Sequence, residues 1–221
     1  MSVERYASPH ERKYGAGEEI ANAVSHGLGA GLSVIATFFL IRAAARTGSA
    51  IAVVAYAVFG ASLILLYSMS TIYHSLSHTR ARRVLETLDH SFIYILIAGS
   101  YTAFCLTILP GSLGWLIFAA SWALAILGIF VKVVWFEKFP RLSVLGYIAM
   151  GWLIVFAFKP LTLALRPEAL ILLVAGGISY SAGTIFYALK RVRWFHAVWH
   201  LFVLAGSACH VLAALFALNP R

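Results

Sequence analysis

Charge is scarce in this chain, and acidic charge most of all. Charged residues make up 11% of its 221 positions, with eight Asp and Glu against seventeen Lys and Arg. A soluble domain carries about 25% charged residues. The deficit argues against a water-soluble globule, a disordered chain and a nucleic-acid binder. Cysteine is also sparse. Cys105 and Cys209 each lie inside an apolar run, so no disulfide framework is indicated. No short repeat, low-complexity stretch or glycine-rich phosphate loop interrupts the sequence.

Apolar residues fill the space that charge leaves. They account for 62% of the chain, and the mean hydropathy is +0.88. They fall into seven runs: Ile20–Ala44, Ile51–Ser75, Ser91–Leu109, Leu113–Phe136, Leu142–Phe158, Glu168–Leu189 and His196–Leu218. A helix needs about 20 residues to cross the hydrocarbon of a bilayer. The pattern predicts an all-α polytopic protein of the plasma or inner membrane, with seven transmembrane helices in one domain over residues 1–221. Residues 1–19 are polar and are expected to form a short segment outside the membrane. The first run is longer than the apolar core of a signal peptide and follows acidic residues, so it is read as retained. Pro110-Gly111 predicts a tight turn after the third run, and Lys159-Pro160 the end of the fifth. The sixth run carries Gly176, Gly177, Ser179, Ser181 and Gly183, small residues that let helices approach closely in lipid.

The net charge of +9 is read as topology and lipid head groups, not as a polyanion site. Lys and Arg gather on alternate connections. With the N-terminus inside, the inner segments hold twelve: Arg5, Arg12, Lys13, Arg80, Arg82, Arg83, Lys132, Lys138, Arg141, Lys190, Arg191 and Arg193. The outer segments hold five: Arg42, Arg46, Lys159, Arg166 and Arg221. The asymmetry predicts a cytosolic N-terminus and an outer C-terminus.

Ionisable groups inside apolar runs are costly and usually have a task. Ser70 and His74 are four apart at the end of the second run and share one helix face. Taken alone, His74 also fits an interfacial histidine. Asp89, the sole aspartate, precedes the third run and equally suits a helix N-cap. His196 and His200 open the last run, and their i, i+4 spacing points two imidazoles the same way. That spacing suits two ligands of one metal, although no glutamate stands between them as in a metalloprotease helix. Asn22 and His26, also four apart, are expected to hydrogen-bond within the bundle without touching a metal. The charge-derived topology puts His74, Asp89, His196 and His200 at one membrane face. Three nitrogen ligands with an open position define a catalytic-type zinc site. Cys209 and His210 lie too far along the last helix to join it, and His210 is expected to bond within the outer half of the bundle.

These stretches resemble the hemolysin III branch of the progestin and adipoQ receptor family. They are Asn22–Gly27, Ser70–His74, Leu88-Asp89-His90 and the run from Trp194 to His210. Together they span most of the chain. The family is grouped with the alkaline ceramidases as seven-helix membrane proteins sharing one Ser, one Asp and three His. The resemblance implies that His74, His196 and His200 bind Zn2+. It implies that Asp89 holds the attacking water and that Ser70 supports the site or polarises a substrate carbonyl. The segment before the first run is short, so no counterpart of the long domain of the animal receptors, and no protein hormone partner, is expected.

The activity expected is zinc-dependent hydrolysis of lipid amides or esters near the cytosolic leaflet, with membrane lipids as partners. Two alternatives stand beside it. One is a non-enzymatic membrane-homeostasis protein with a structural zinc. The other is a pore-forming or cytolytic protein, as the family name implies, although the outer helix halves are largely apolar. A retinal pigment is excluded by the absence of lysine from residues 196–218.

Overall fold

The computed structural model of the protein describes residues 14–109, 111–134 and 140–218. The described residues form helices: α1 (Ala16–Ala45), α2 (Ala50–Ser75), α3 (Arg82–Thr107), α4 (Gly111–Val134), α5 (Pro140–Gly151), α6 (Phe158–Ala164), α7 (Pro167–Ala188) and α8 (Phe195–Ala217). A 3-10 stretch, Trp152–Ala157, joins α5 to α6. Seven of the helical segments are long and apolar enough to cross a membrane, and the protein is a multi-pass integral membrane protein. Its outer surface is what lipid requires. Leu163 is 81% exposed and Phe156 79%, and both meet hydrocarbon there at no cost.

The helices start earlier than the apolar runs. α1 begins at Ala16 and α3 at Arg82, so both extend through their polar ends. At about 1.5 Å per residue, the thirty residues of α1 outreach a hydrocarbon layer of about 30 Å. Glu18 and Glu19, expected outside the helical region, therefore ride on its first turn. Asp89 lies in the body of α3, whose N-cap is Ala81, and the N-cap reading of Asp89 is corrected.

Lys159-Pro160 does not end the fifth span. Pro160 occupies the first turn of α6, where its missing N–H would have no partner anyway. The interruption lies upstream, at the 3-10 stretch. Tyr101 of α3 holds that stretch: its hydroxyl donates to the Gly151 carbonyl at 2.8 Å and accepts from the Ile154 N–H at 2.8 Å. Pro110 is outside the described residues, and Gly111 follows it at φ 56°, a left-handed turn conformation open to glycine.

Consecutive helices α1 through α4 pack side by side, α7 packs on α8, and α1 also lies against α8. Tyr56, Phe59, Leu63 and Tyr67 of α2 fill the centre of the bundle. α3, the fifth span and the α7–α8 pair touch one another sparsely. Between them lies a cavity of about 150 Å³, part of it open to the outside.

Candidate metal centre

His74, one residue from the end of α2, and His196 and His200, in the first two turns of α8, meet inside the bundle. All three are buried. Their ligand nitrogens lie within 4.8 Å of one another. Nε2 of His196 is 3.3 Å from Nε2 of His74 and 3.2 Å from Nε2 of His200. Tetrahedral bonds of about 2.0–2.1 Å from zinc to nitrogen span edges of about 3.3–3.4 Å. The triad therefore fits a single metal ion in its spacing.

Its protonation pattern fits as well. Nδ1 of His74 lies 2.6 Å from Oε2 of Glu19, and a carboxylate only accepts, so Nδ1 carries the hydrogen. Asn22 also approaches that nitrogen, through its side-chain amide at 3.5 Å, a marginal contact beside the carboxylate. Nδ1 of His200 faces the Asn22 carbonyl at 3.3 Å and Ser25 Oγ at 3.1 Å. Ser25 gives its own hydrogen to the same carbonyl, so Nδ1 of His200 is again the donor. With both Nδ1 atoms protonated, the neutral rings of His74 and His200 aim Nε2 lone pairs at the centre. Partners of this kind fix the tautomer of metal-binding histidines and raise their basicity. His196 is placed differently. Its Nδ1 has no hydrogen-bond partner among the described residues, and its ring stacks on Tyr14 at 4.9 Å between centroids.

α1 supplies these supports through two adjacent carboxylates. Glu19 serves His74. Glu18 accepts from the backbone N–H of Gly15 at 3.1 Å, capping α1, and from that of Trp194 at 2.9 Å. Trp194 stands at φ 69° just before α8, a backbone bulky residues rarely adopt. Glu18 thus anchors the start of the helix that carries His196 and His200, and its negative charge suits a helix N-terminus.

Asp89 and Ser70 line the large cavity together with His196 and His200. The Asp89 carboxylate is buried but is not part of the tight nitrogen group. Ser70 Oγ lies against Asp89 and has no other hydrogen-bond partner among the described residues. Lys132 of α4 is buried, and its charge acts on Asp89 and His90. Lys132 was counted from sequence as a topology marker, and the structure places its side chain inside the bundle.

Of the two residues expected to hydrogen-bond within the bundle, Asn22 meets His74 and His200, but His26 does not hydrogen-bond among the described residues. Both ring nitrogens of His26 and Oδ1 of Asn22 are without partners among the described residues. His26 instead lies flat on His200, with centroids 3.6 Å apart and planes 9° apart. His210 bonds to the Gly206 carbonyl but also lines the same cavity as His196 and His200. Glu18, Glu19, Lys132 and the Asn22 carbonyl went unassigned in the sequence. The Glu-Glu pair just before an apolar run was the one available signal.

Known proteins resemble the chain over most of its length. A family described as haemolysin-III related matches residues 14–211. Hemolysin-3 of Bacillus cereus is 49% identical over 203 residues, covering 92% of this chain and 93% of that protein. A hemolysin-3 homolog of Bacillus subtilis (strain 168) is 48% identical over 199 residues, covering 90% and 93%. The human monocyte to macrophage differentiation factor is 29% identical over 171 residues, covering 71% and 67%. With seven membrane spans and a family match over nearly all of them, this chain belongs to the haemolysin-III-related family.

Proposed function

We propose that the protein is a zinc-dependent membrane hydrolase acting on lipid amides or esters at the cytosolic leaflet. One observation carries this reading: two imidazoles of the triad, those of His196 and His200, line an apolar cavity that Asp89 and Ser70 also line. A structural zinc is normally closed by four protein ligands. Here the tight group contains three among the described residues, leaving a position for water or substrate.

His74, His196 and His200 would hold the zinc. When bound, it brings the pKa of water to about 7 and polarises a carbonyl oxygen. The residues of the chain do the rest. The cavity walls, Leu66, Ile93 and Val203 among them, take the acyl chain and exclude water. Asp89 accepts a proton from the attacking water at its carboxylate and returns it to the leaving amine or alkoxide. Ser70, beside Asp89 in the cavity lining, donates to the substrate carbonyl oxygen. Lys132 balances the charge of Asp89.

The test compares wild type with Asp89→Asn, both zinc-loaded in bilayers, against ceramides, acyl amides and phospholipids. Asp89→Asn keeps size and hydrogen-bonding capacity. It is expected to retain zinc and fold while hydrolysis falls by about 10–100-fold or more. Equal nonzero rates would remove Asp89 from the mechanism. No hydrolysis by wild type across the panel would favour the non-enzymatic reading.

A further inference from the structure

The cavity that begins at the triad runs on to His210 and Tyr180, a polar pair with no part in the proposed hydrolysis. We propose that this pair is a second binding subsite, for a hydroxyl group carried partway along the acyl chain. The inference rests on the reading that the cavity holds a lipid chain.

The chemistry of the pair selects the ligand. Nδ1 of His210 lies 2.9 Å from the Gly206 carbonyl. A carbonyl only accepts, so Nδ1 carries the hydrogen, and Nε2 of the neutral ring is a lone pair seeking a donor. The Tyr180 hydroxyl ends a relay. Tyr67 donates to Ser207 at 2.6 Å, and Ser207 lies 2.8 Å from Tyr180. Either hydroxyl of that last contact can be the donor, so Tyr180 can present a donor or an acceptor to the cavity. A ligand hydroxyl gives its hydrogen to His210 and exchanges a second hydrogen bond with Tyr180. A carboxylate or ketone offers no hydrogen to the imidazole, and a plain methylene chain leaves Nε2 of His210 unmatched, which costs free energy in an apolar cavity.

The backbone is shaped for these two side chains. A Cβ at Gly176 would collide with the His210 ring, and one at Gly206 would come within 2.7 Å of the Tyr180 ring. α7 and α8 thus each give up a side chain to seat the ring carried by the other.

The spacing sets where the hydroxyl falls. His200 and His210 are ten residues apart on one helix, about 15 Å along its axis, or about twelve carbons of extended chain. A chain whose carboxyl end reaches the triad would put its tenth to twelfth carbon, roughly, beside His210.

The experiment uses free fatty acids, which cannot be hydrolysed. Zinc-loaded protein in nanodiscs carries a dansyl-labelled undecanoate, which is displaced by octadecanoate or by its 2-, 10- or 12-hydroxy derivatives. The 10- or 12-hydroxy acid is expected to displace the probe at about fivefold to tenfold lower concentration than octadecanoate, and the 2-hydroxy acid to show no such advantage. His210→Phe and Tyr180→Phe keep the rings. They should remove the advantage and leave octadecanoate binding unchanged. If octadecanoate binds wild type and the mid-chain hydroxyl adds nothing, the subsite is overturned while the lipid-cavity reading stands. An advantage that survives in both variants overturns the assignment to these residues. If no fatty acid displaces the probe, both readings fall.

Discussion

Oε2 of Glu19 lies 2.6 Å from Nδ1 of His74, across 55 residues of sequence. The contact ties the first turn of α1 to the end of α2. It also decides which nitrogen of His74 is protonated, leaving Nε2 to face the other two imidazoles.

Metal affinity is therefore expected to depend on Glu19. Glu19→Ala should weaken zinc binding about 10–100-fold, the usual cost of losing such a partner. Glu19→Gln should lose less, because its amide oxygen can still accept the hydrogen. Competition with a chromophoric chelator measures both. Wild-type affinity in both variants would remove Glu19 from the centre.

Removing a ligand should act more strongly than removing its support. His200→Ala leaves two of three imidazoles, and its zinc content by mass spectrometry should fall well below one per chain. Chelation of the wild type should lower its melting temperature, since a bound ion stabilises the folded state by mass action. The same chelator should have a smaller effect on His200→Ala. Full stoichiometric zinc in that variant would show that the triad is misassigned.

His26 is expected to act through packing. His26→Phe preserves a flat ring against His200 and should keep stoichiometric zinc. His26→Ala opens a void behind His200 and should cost about 1–3 kcal/mol of stability. Loss of zinc in His26→Phe, with the fold intact, would make His26 a ligand.

Topology is the fourth expectation. The twelve-to-five distribution of Lys and Arg places the α2–α3 connection inside and the C-terminus outside. Reporter fusions at Arg80 and Arg221 should lie on opposite sides of the membrane. Both on one side would sink the orientation and the assignment of the site to the cytosolic leaflet.

Hydropathy and helical spacing made much of this protein legible from sequence. Each span must satisfy its own backbone hydrogen bonds and present apolar side chains to lipid, so seven runs read as seven spans without knowledge of their neighbours. The i, i+4 spacing of His196 and His200 likewise shows local geometry. His74 stood out because an ionisable side chain is rare in such a run. Tertiary structure decided what local geometry cannot carry. The axial register of α2 against α8 brought Nε2 of His74 to 3.3 Å from Nε2 of His196, and it depends on the packing of the side chains between those helices. The roles of Glu18 and Glu19 depended on how far α1 rises past the membrane and which way its first turn faces. The break at Trp152 came from a tyrosine on another helix, Tyr101, where sequence pointed to Pro160. A buried Lys132 reads as a surface charge until α4 is placed beside Asp89. The cavity joining His196 and His200 to His210 belongs to no helix at all: it exists because α3, the fifth span and the α7–α8 pair fail to close on one another.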